Sequence, residues 1–572
     1  MNVLKHGLVA SLLFSIGAAP SFAGVSKDVS ALLNAMPGNL PLAVVIPNAE
    51  DFDARLAEAV KQLDPSADSP GLVNQLKQKI KLAGWVDFSK PVGLAQADFS
   101  NDETALIFAV ASDFDAKAKA LNNAKQEEGV WQLPFDASTT VYAAKRGPFV
   151  VASKSKESLQ VVLNERSKLS DNIKNRSSML EGKQLFAEIN IEPVRAIALG
   201  GIMQISAFAP MLAMSAASDG SADPATISGL VTAGTEGLQK LVQQVAFVDI
   251  ALGIKKGAID ATIQPTFNEG PIAQYLAAQQ AGAEFLKGIN TDSYMVAFSW
   301  QFPGTASPFF DYLFSKMEAA AAMSSPIAMG QPKGGGNPKA TSSAKLAETK
   351  ESLAAARKLY GAVQSMNSVF SITPKGMLIT GDYSGGNPQQ LLQLASDSFG
   401  KSNPISKMFG GGASYQASGS RKIGDVEVKE FAITLDPGKS QTAKAAAMYG
   451  AKARFTMGVV GKSVRYCVGP QEAADAYFKK TENATLDPGV ASLLKNFPAK
   501  KNIVVAVNSA GLMTMLGPML GHGAAPNTTG NVPLMGLSLL MSGEARLDLH
   551  VPFAALKPLM NRGAASTSGG PM

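Results

Sequence analysis

The chain has 572 residues, 46% of them apolar and 17% charged, with a formal net charge of +6; at roughly 100–200 residues per domain, that length predicts about two to four domains. A mean hydropathy near zero excludes a polytopic membrane protein and a disordered, highly charged chain. The single cysteine, Cys467, excludes an internal disulfide and a cysteine-rich zinc site.

Residues 1–23 read as a secretory signal: Lys5 gives a basic start, an uncharged apolar run extends from Leu8 to Ala19, and Ser21-Phe22-Ala23 forms a small-residue cleavage site before Gly24. No cysteine follows the cut to accept a lipid, so the expectation is an exported, unlipidated protein of the periplasm or extracellular space.

From Leu42 the chain shows an apolar strand ending at Pro47, then a helix with Phe52, Leu56, Val60 and Leu63 on one face, then a second helix carrying Leu72, Leu76 and Ile80. Asp-Phe-Asp-Ala occurs at 51–54 and again at 113–116, each time after an apolar strand. Acids in that place suit the positive end of a helix better than a calcium loop, which needs further oxygen ligands at regular spacing.

A hairpin over 141–153, turning at Gly147-Pro148, leads to a helix from Lys156 and then to a strand, Leu185–Asn190. The same order returns later: a hairpin over 455–467 turning at Gly461, a helix after Pro470, and a strand ending at Asn508. The strand 259–267 is matched by 547–553, both closing on a proline and a phenylalanine. We therefore read the chain as a tandem repeat, with lobe 1 at 27–275, lobe 2 at 290–562, a Gly, Pro and Ser-rich insert at 324–343 and a tail at 563–572 that cannot build a core. Strand pairs joined by tight turns, with helices between the pairs, predict an α+β fold: two similar lobes, each a mainly antiparallel or mixed sheet with helices on one face. The signal segment, the opening strand Pro37-Gly38-Asn39-Leu40-Pro41-Leu42-Ala43-Val44-Val45-Ile46-Pro47 and the repeated strand-helix-hairpin units resemble exported bacterial proteins built from domains of unknown function. The resemblance implies no activity.

The basic excess is concentrated in the window 145–183. Lys145, Arg146, Lys154 and Lys156 flank the hairpin turn and are candidates for one positive face toward an anionic polymer or lipid surface. The window holds only one aromatic residue, Phe149, so no stacking platform for nucleic acid is expected.

Beyond the signal only His522 and His550 remain, and the nucleophile elbow, the zinc-protease helix and the phosphate-binding loop are all missing. Neither a metal, a cofactor nor a catalytic residue is assigned. Two uncharged stretches, 196–218 and 502–543, fall at matching places in the two copies. They contain Met203, Met211 and Met214, and Met513, Met515, Met519, Met535 and Met541. Prolines, Pro210 among them, are expected to break these stretches into short pieces, so they should not span a membrane. Their methionines are candidates for an adaptable surface that takes an apolar ligand or an envelope protein partner. The function expected is thus a non-enzymatic exported binding protein; the alternative is an envelope hydrolase working through carboxylates or a Ser-Lys pair.

Overall fold

The computed structural model describes residues 26–65, 71–79, 84–135, 139–218, 224–286, 294–302, 354–373, 376–400, 413–435, 454–479, 486–509 and 534–556, with the single residues 315, 351 and 511. The signal segment, the insert 324–343, the tail 563–572, His522, Met513, Met515 and Met519 lie outside them. The chain divides into two compact units, one of Met1–Ala196, Val245–Asn268 and Ala545–Met572, the other of Ile197–Gln244 and Glu269–Glu544.

The first unit contains β1 (Leu42–Ile46), β2 (Val92–Gln96), β3 (Ala105–Ala109), β4 (Lys125–Glu127), β5 (Val130–Pro134), β6 (Thr140–Arg146), β7 (Phe149–Ser153), β8 (Leu185–Asn190), β9 (Val245–Lys255) and β10 (Ala258–Phe267). Hydrogen bonding orders them β4-β5-β6-β7-β3-β2-β1-β8-β9-β10, every pair antiparallel. The second unit contains β11 (Tyr294–Gln301), β12 (Ser365–Thr373), β13 (Gly376–Ser384), β14 (Ala413–Ile423), β15 (Val426–Leu435), β16 (Arg454–Val460), β17 (Ser463–Gly469), β18 (Ile503–Val507) and β19 (Met535–Met541). Its order is β14-β15-β16-β17-β13-β12-β11-β18-β19, again antiparallel throughout. Adding ten to each label of the first series from β4 to β9 reproduces the second. The molecule is α+β, with two similar halves. Gly147 and Gly461 turn the matching hairpins at φ of 62° and 57°, a left-handed backbone that only glycine adopts without steric cost.

Three features differ from the sequence reading. The last strand, β20 (Ala545–Pro552), expected in lobe 2, runs antiparallel along β10 in the first unit, placing Asp260 beside His550 and Thr262 beside Asp548. This edge pairing satisfies backbone groups of β10 that would otherwise lie open. Secondly, Pro210 does not break the stretch 196–218, which belongs to one helix, Ile191–Ser218. A proline removes one interior hydrogen bond and costs about 3 kcal/mol, which the other turns of a 28-residue helix offset. No helix among the described residues is long and apolar enough to cross a membrane.

Thirdly, helices flank both faces of the first sheet rather than one. β1 is buried at all five positions, and its side chains alternate between two cores. Ala43 and Val45 pack with Leu32 and Leu33 of the helix Lys27–Ala35 and with Leu159 and Val162 of the helix Lys156–Asn164. Leu42, Val44 and Ile46 pack with Phe52 and Ala59 of the helix Ala49–Leu63. Ser26 and Asn48 start the two N-terminal helices, accepting from the backbone N–H of Val29 at 3.2 Å and Asp51 at 2.8 Å. The acids of the first Asp-Phe-Asp-Ala stand at the N-terminal ends of helices as expected, although Asn48 is the cap: Asp51 lies in the first turn of Ala49–Leu63, and buried Asp53 accepts from the Val73 N–H at 3.1 Å in the first turn of Leu72–Lys79, tying that helix down.

Candidate functional site: an apolar cavity in the first unit

The second face of the first sheet is covered unevenly. Over β1 and β2 lie Phe52, Val73 and Phe88. Over β5 and β6, Phe114 and Ala118 of the helix Phe114–Lys119 pack on Trp131, Leu133 and Ala143. Between these two groups, over β3 and β7, is a cavity of about 430 Å³. Its floor is Ala105, Ile107 and Ala109 of β3 with Val150 and Ala152 of β7; its walls include Phe52, Trp85, Phe88, Phe114, Leu133 and Val141. Ile107 is 47% exposed although β3 is hydrogen-bonded on both sides, because the cavity opens over it.

The repeat shows what keeps this space open. The matching hairpins align Ala152 with Tyr466, and the cross-strand register carries the alignment onward. Ala152 lies beside Ile107 and Tyr466 beside Gly381; Ala109 lies beside Val150 and Tyr383 beside Val464; Ala143 lies beside Ala152 and Met457 beside Tyr466. Through β2 and β12 the same correspondence reaches Ile46 and Trp300. Where the first unit has Ala109, Ala143, Ala152, Val141 and Ile46, the second has Tyr383, Met457, Tyr466, Phe455 and Trp300. All five of these larger residues are buried in one continuous core, with the rings of Tyr383 and Tyr466 stacked at 4.8 Å. The second unit fills with side chains the space that the first leaves empty.

Polar groups gather at one end of the cavity. Asp102, Glu103, Ser153 and Lys154 line it where β3 begins and β7 ends; Asp102, Glu103 and Lys154 are exposed, and Ser153 is buried with its hydroxyl 3.4 Å from the Glu103 carbonyl. The opposite end is closed by Phe52, Trp85, Phe88 and Phe114.

The other candidate residues are placed as follows. Lys154 lines the cavity rim. Lys145 is paired with Asp115, and Lys156 with Glu127 at 3.2 Å. Arg146 donates to the carbonyls of Val162 and of Glu165, the latter at 2.8 Å. Two of the four charges are thus offset locally, and a third holds a helix end. Met203 and Met211 are 63% and 58% exposed on the helix Ile191–Ser218, together with Ile197, Ile205 and Phe208; Met214 lies further along it. Met535 and Met541 bound β19 and are half-buried, Met541 against the aromatic core of the second unit.

Buried acids occur, but away from the cavity. Glu188 of β8 and Asp249 of β9 are cross-strand neighbours, both paired with Arg176. Burial raises both carboxyls, Asp249 to about 7 against the opposing pull of Arg176. In the second unit Ser299, Asn367 and Asp382 form a row across β11, β12 and β13, the Ser299 hydroxyl donating to Asn367 at 2.6 Å and the Asn367 amide donating to Asp382 at 3.3 Å. Burial lifts Asp382 to about 6. His550 bonds Asp260 through Nδ1 at 2.7 Å, and Lys255 is paired with the same carboxylate at 2.7 Å. Burial also pushes the Cys467 thiol up to about 12, so it is not a ready nucleophile. Among the described residues no cluster of His, Cys, Asp and Glu suits a metal ion.

No family model and no curated protein matches the chain. Among solved structures it is similar to TP0453 in crystal form I, with a TM-score of 0.22 and 11% identity over 44% of this chain and 87% of that one. Crystal form III of the same protein gives 0.22 and 9% over 42% and 81%.

Proposed function

We propose that the protein is an exported, non-enzymatic binding protein whose first unit holds an apolar ligand in the cavity over β3 and β7. The observation that carries this reading is the contrast between the repeats: one sheet face closed by Tyr383, Tyr466 and Trp300, the equivalent face left open by Ala109, Ala152 and Ile46. Cores are close-packed, and Ile107, 47% exposed at the floor of this space, is an apolar side chain whose surface a ligand would remove from water. The volume falls within the roughly 300–1,000 Å³ of small-molecule sites, and an apolar lining with a few convergent polar groups is their usual composition. The carboxyls raised by burial, Glu188, Asp249 and Asp382, face partners inside the fold rather than this space, and of the acids that do line it Asp53 is bonded to the Val73 N–H while Asp102 and Glu103 stand exposed at the rim, which favours binding over hydrolysis.

Diphenylhexatriene titrated into the full chain should bind at one site per molecule and perturb the fluorescence of Trp85, the tryptophan lining the cavity, in a background where Trp131 and Trp300 are replaced by Phe. Native mass spectrometry of protein taken from its own compartment should show a bound apolar small molecule. Saturable binding absent in both experiments would end the reading. Export carries its own test: the mature protein should begin at Gly24, and a mature chain retaining Met1 would refute it.

A second reading rests on the helices Ile191–Ser218 and Pro224–Gln244. Seven large apolar side chains, Leu238 and Leu241 with the five already named, are exposed on them. Exposed apolar side chains in that number fit a contact with a protein partner or a lipid surface.

A further inference from the structure

Resting on the reading of the cavity as a ligand site, we propose that its ligand is a single-chain amphiphile bound tail first, with a charged head at the rim formed by Asp102, Glu103, Ser153 and Lys154. The two ends of the cavity differ chemically. Aromatic rings of Phe52, Trp85, Phe88 and Phe114 close one end, and a carboxylate or ammonium pushed there would lose its hydration with no group to replace it. Asp53, the polar residue lining that part, is buried and already holds the Val73 N–H. At the other end three charged side chains reach solvent together, so a head group placed among them stays hydrated and finds both signs of charge.

The strand geometry fits a linear tail. β3 and β7 run antiparallel from the pair Leu106 and Ser153 at the rim to the pair Ala109 and Val150 at the aromatic end. A chain lying along β3 over Ala105, Ile107 and Ala109 passes from charge to aromatic ring without meeting a polar side chain. The volume is near the low end of ligand sites and suits one chain rather than two. Lys154 favours an anionic head, Asp102 and Glu103 a cationic one, and a zwitterion satisfies both.

The test uses the full chain with dodecanol, dodecanoate and dodecylammonium as probes, each displacing diphenylhexatriene. Exposed charge pairs are worth little, so replacing Lys154 with Glu should weaken dodecanoate and strengthen dodecylammonium by roughly two- to fivefold each, with dodecanol unchanged. Lys154→Met should move both in the same directions by less. The shifts should shrink at high salt. If all three probes bind and Lys154→Glu alters none of them, the head lies elsewhere and this inference is overturned while the cavity remains a ligand site. If the wild-type chain binds none of the three, the ligand reading itself falls.

Discussion

Transplanting the packing of the second unit into the first should close the cavity without unfolding the protein. In the second unit Tyr466 lies over Gly381, a large residue beside a small one; in the first, Ala152 lies beside Ile107, the sizes reversed. The variant Ile107→Ala/Ala152→Phe restores the second unit's order of sizes and brings no hydroxyl that would need a partner. A buried aromatic side chain removes roughly 150–250 Å² from water, worth about 4–6 kcal/mol at about 25 cal/mol per Å². Against this, ordering the new side chain costs about 1 kcal/mol. Trimming a buried Ile to Ala costs about 2–5 kcal/mol, and Ile107 is 47% exposed, so about half that applies. The balance is a change between about +0.5 and +4 kcal/mol. Thermal unfolding followed by circular dichroism should therefore show a midpoint no lower than wild type, while diphenylhexatriene binding is lost. Stability preserved with unchanged binding would refute the placement of the ligand over β3 and β7. A large loss of stability would refute the equivalence of the two faces.

In the second unit, Gly381→Ala should destabilise strongly, by more than the roughly 1–3 kcal/mol of ordinary overpacking. A methyl there meets the Asn367 carbonyl oxygen and lies 2.5 Å from the Tyr466 hydroxyl; a denaturation midpoint equal to wild type would contradict the packing described. Asp249→Asn should change the dependence of stability on pH. The native carboxyl titrates near 7, raised from 3.8 mainly by burial, so the folded state holds a proton that the unfolded state has released. The stability tied to that proton is fully present below the unfolded value and is lost as pH rises through about 4 to 7, at most about 4 kcal/mol at 1.36 kcal/mol per pKa unit. Denaturant titrations across that range should show a flatter profile for Asp249→Asn and a gain over wild type at pH 8; an identical slope would place the titration elsewhere.

The order of elements was legible because turn residues and alternation are local. Gly147 and Gly461, and the apolar strands ending at Asn190 and Asn508, suffice to pair the halves, and the hydrogen-bonded order of β4 to β9 and β14 to β19 follows the same plan. The pairing of β20 with β10 was not legible, since antiparallel register between segments nearly 300 residues apart leaves no local trace. Nor was the two-sided helix cover, although the unbroken apolar run of Leu42–Ile46 is what a strand buried on both faces requires.

The cavity was not legible in either copy alone. Methionines do not mark it: Met203 and Met211 are exposed, as an adaptable surface would have them, Met541 is half-buried against a core, and Met513, Met515 and Met519 lie outside the described residues. What marks the site is small size at a few alternate positions. An alanine at 109, 143 or 152 says nothing by itself, as alanine suits any buried strand. It becomes a signal only when the copies are laid over one another through their turn glycines, which sets Ala143 against Met457 and Ala152 against Tyr466 in the sequence alone. Ala109 against Tyr383 needs the sheet register as well. A repeated fold thus carries an internal reference for its own packing: where one copy has a filled core and the other has the same strands with smaller side chains, the missing volume is where the proposed ligand is to be sought.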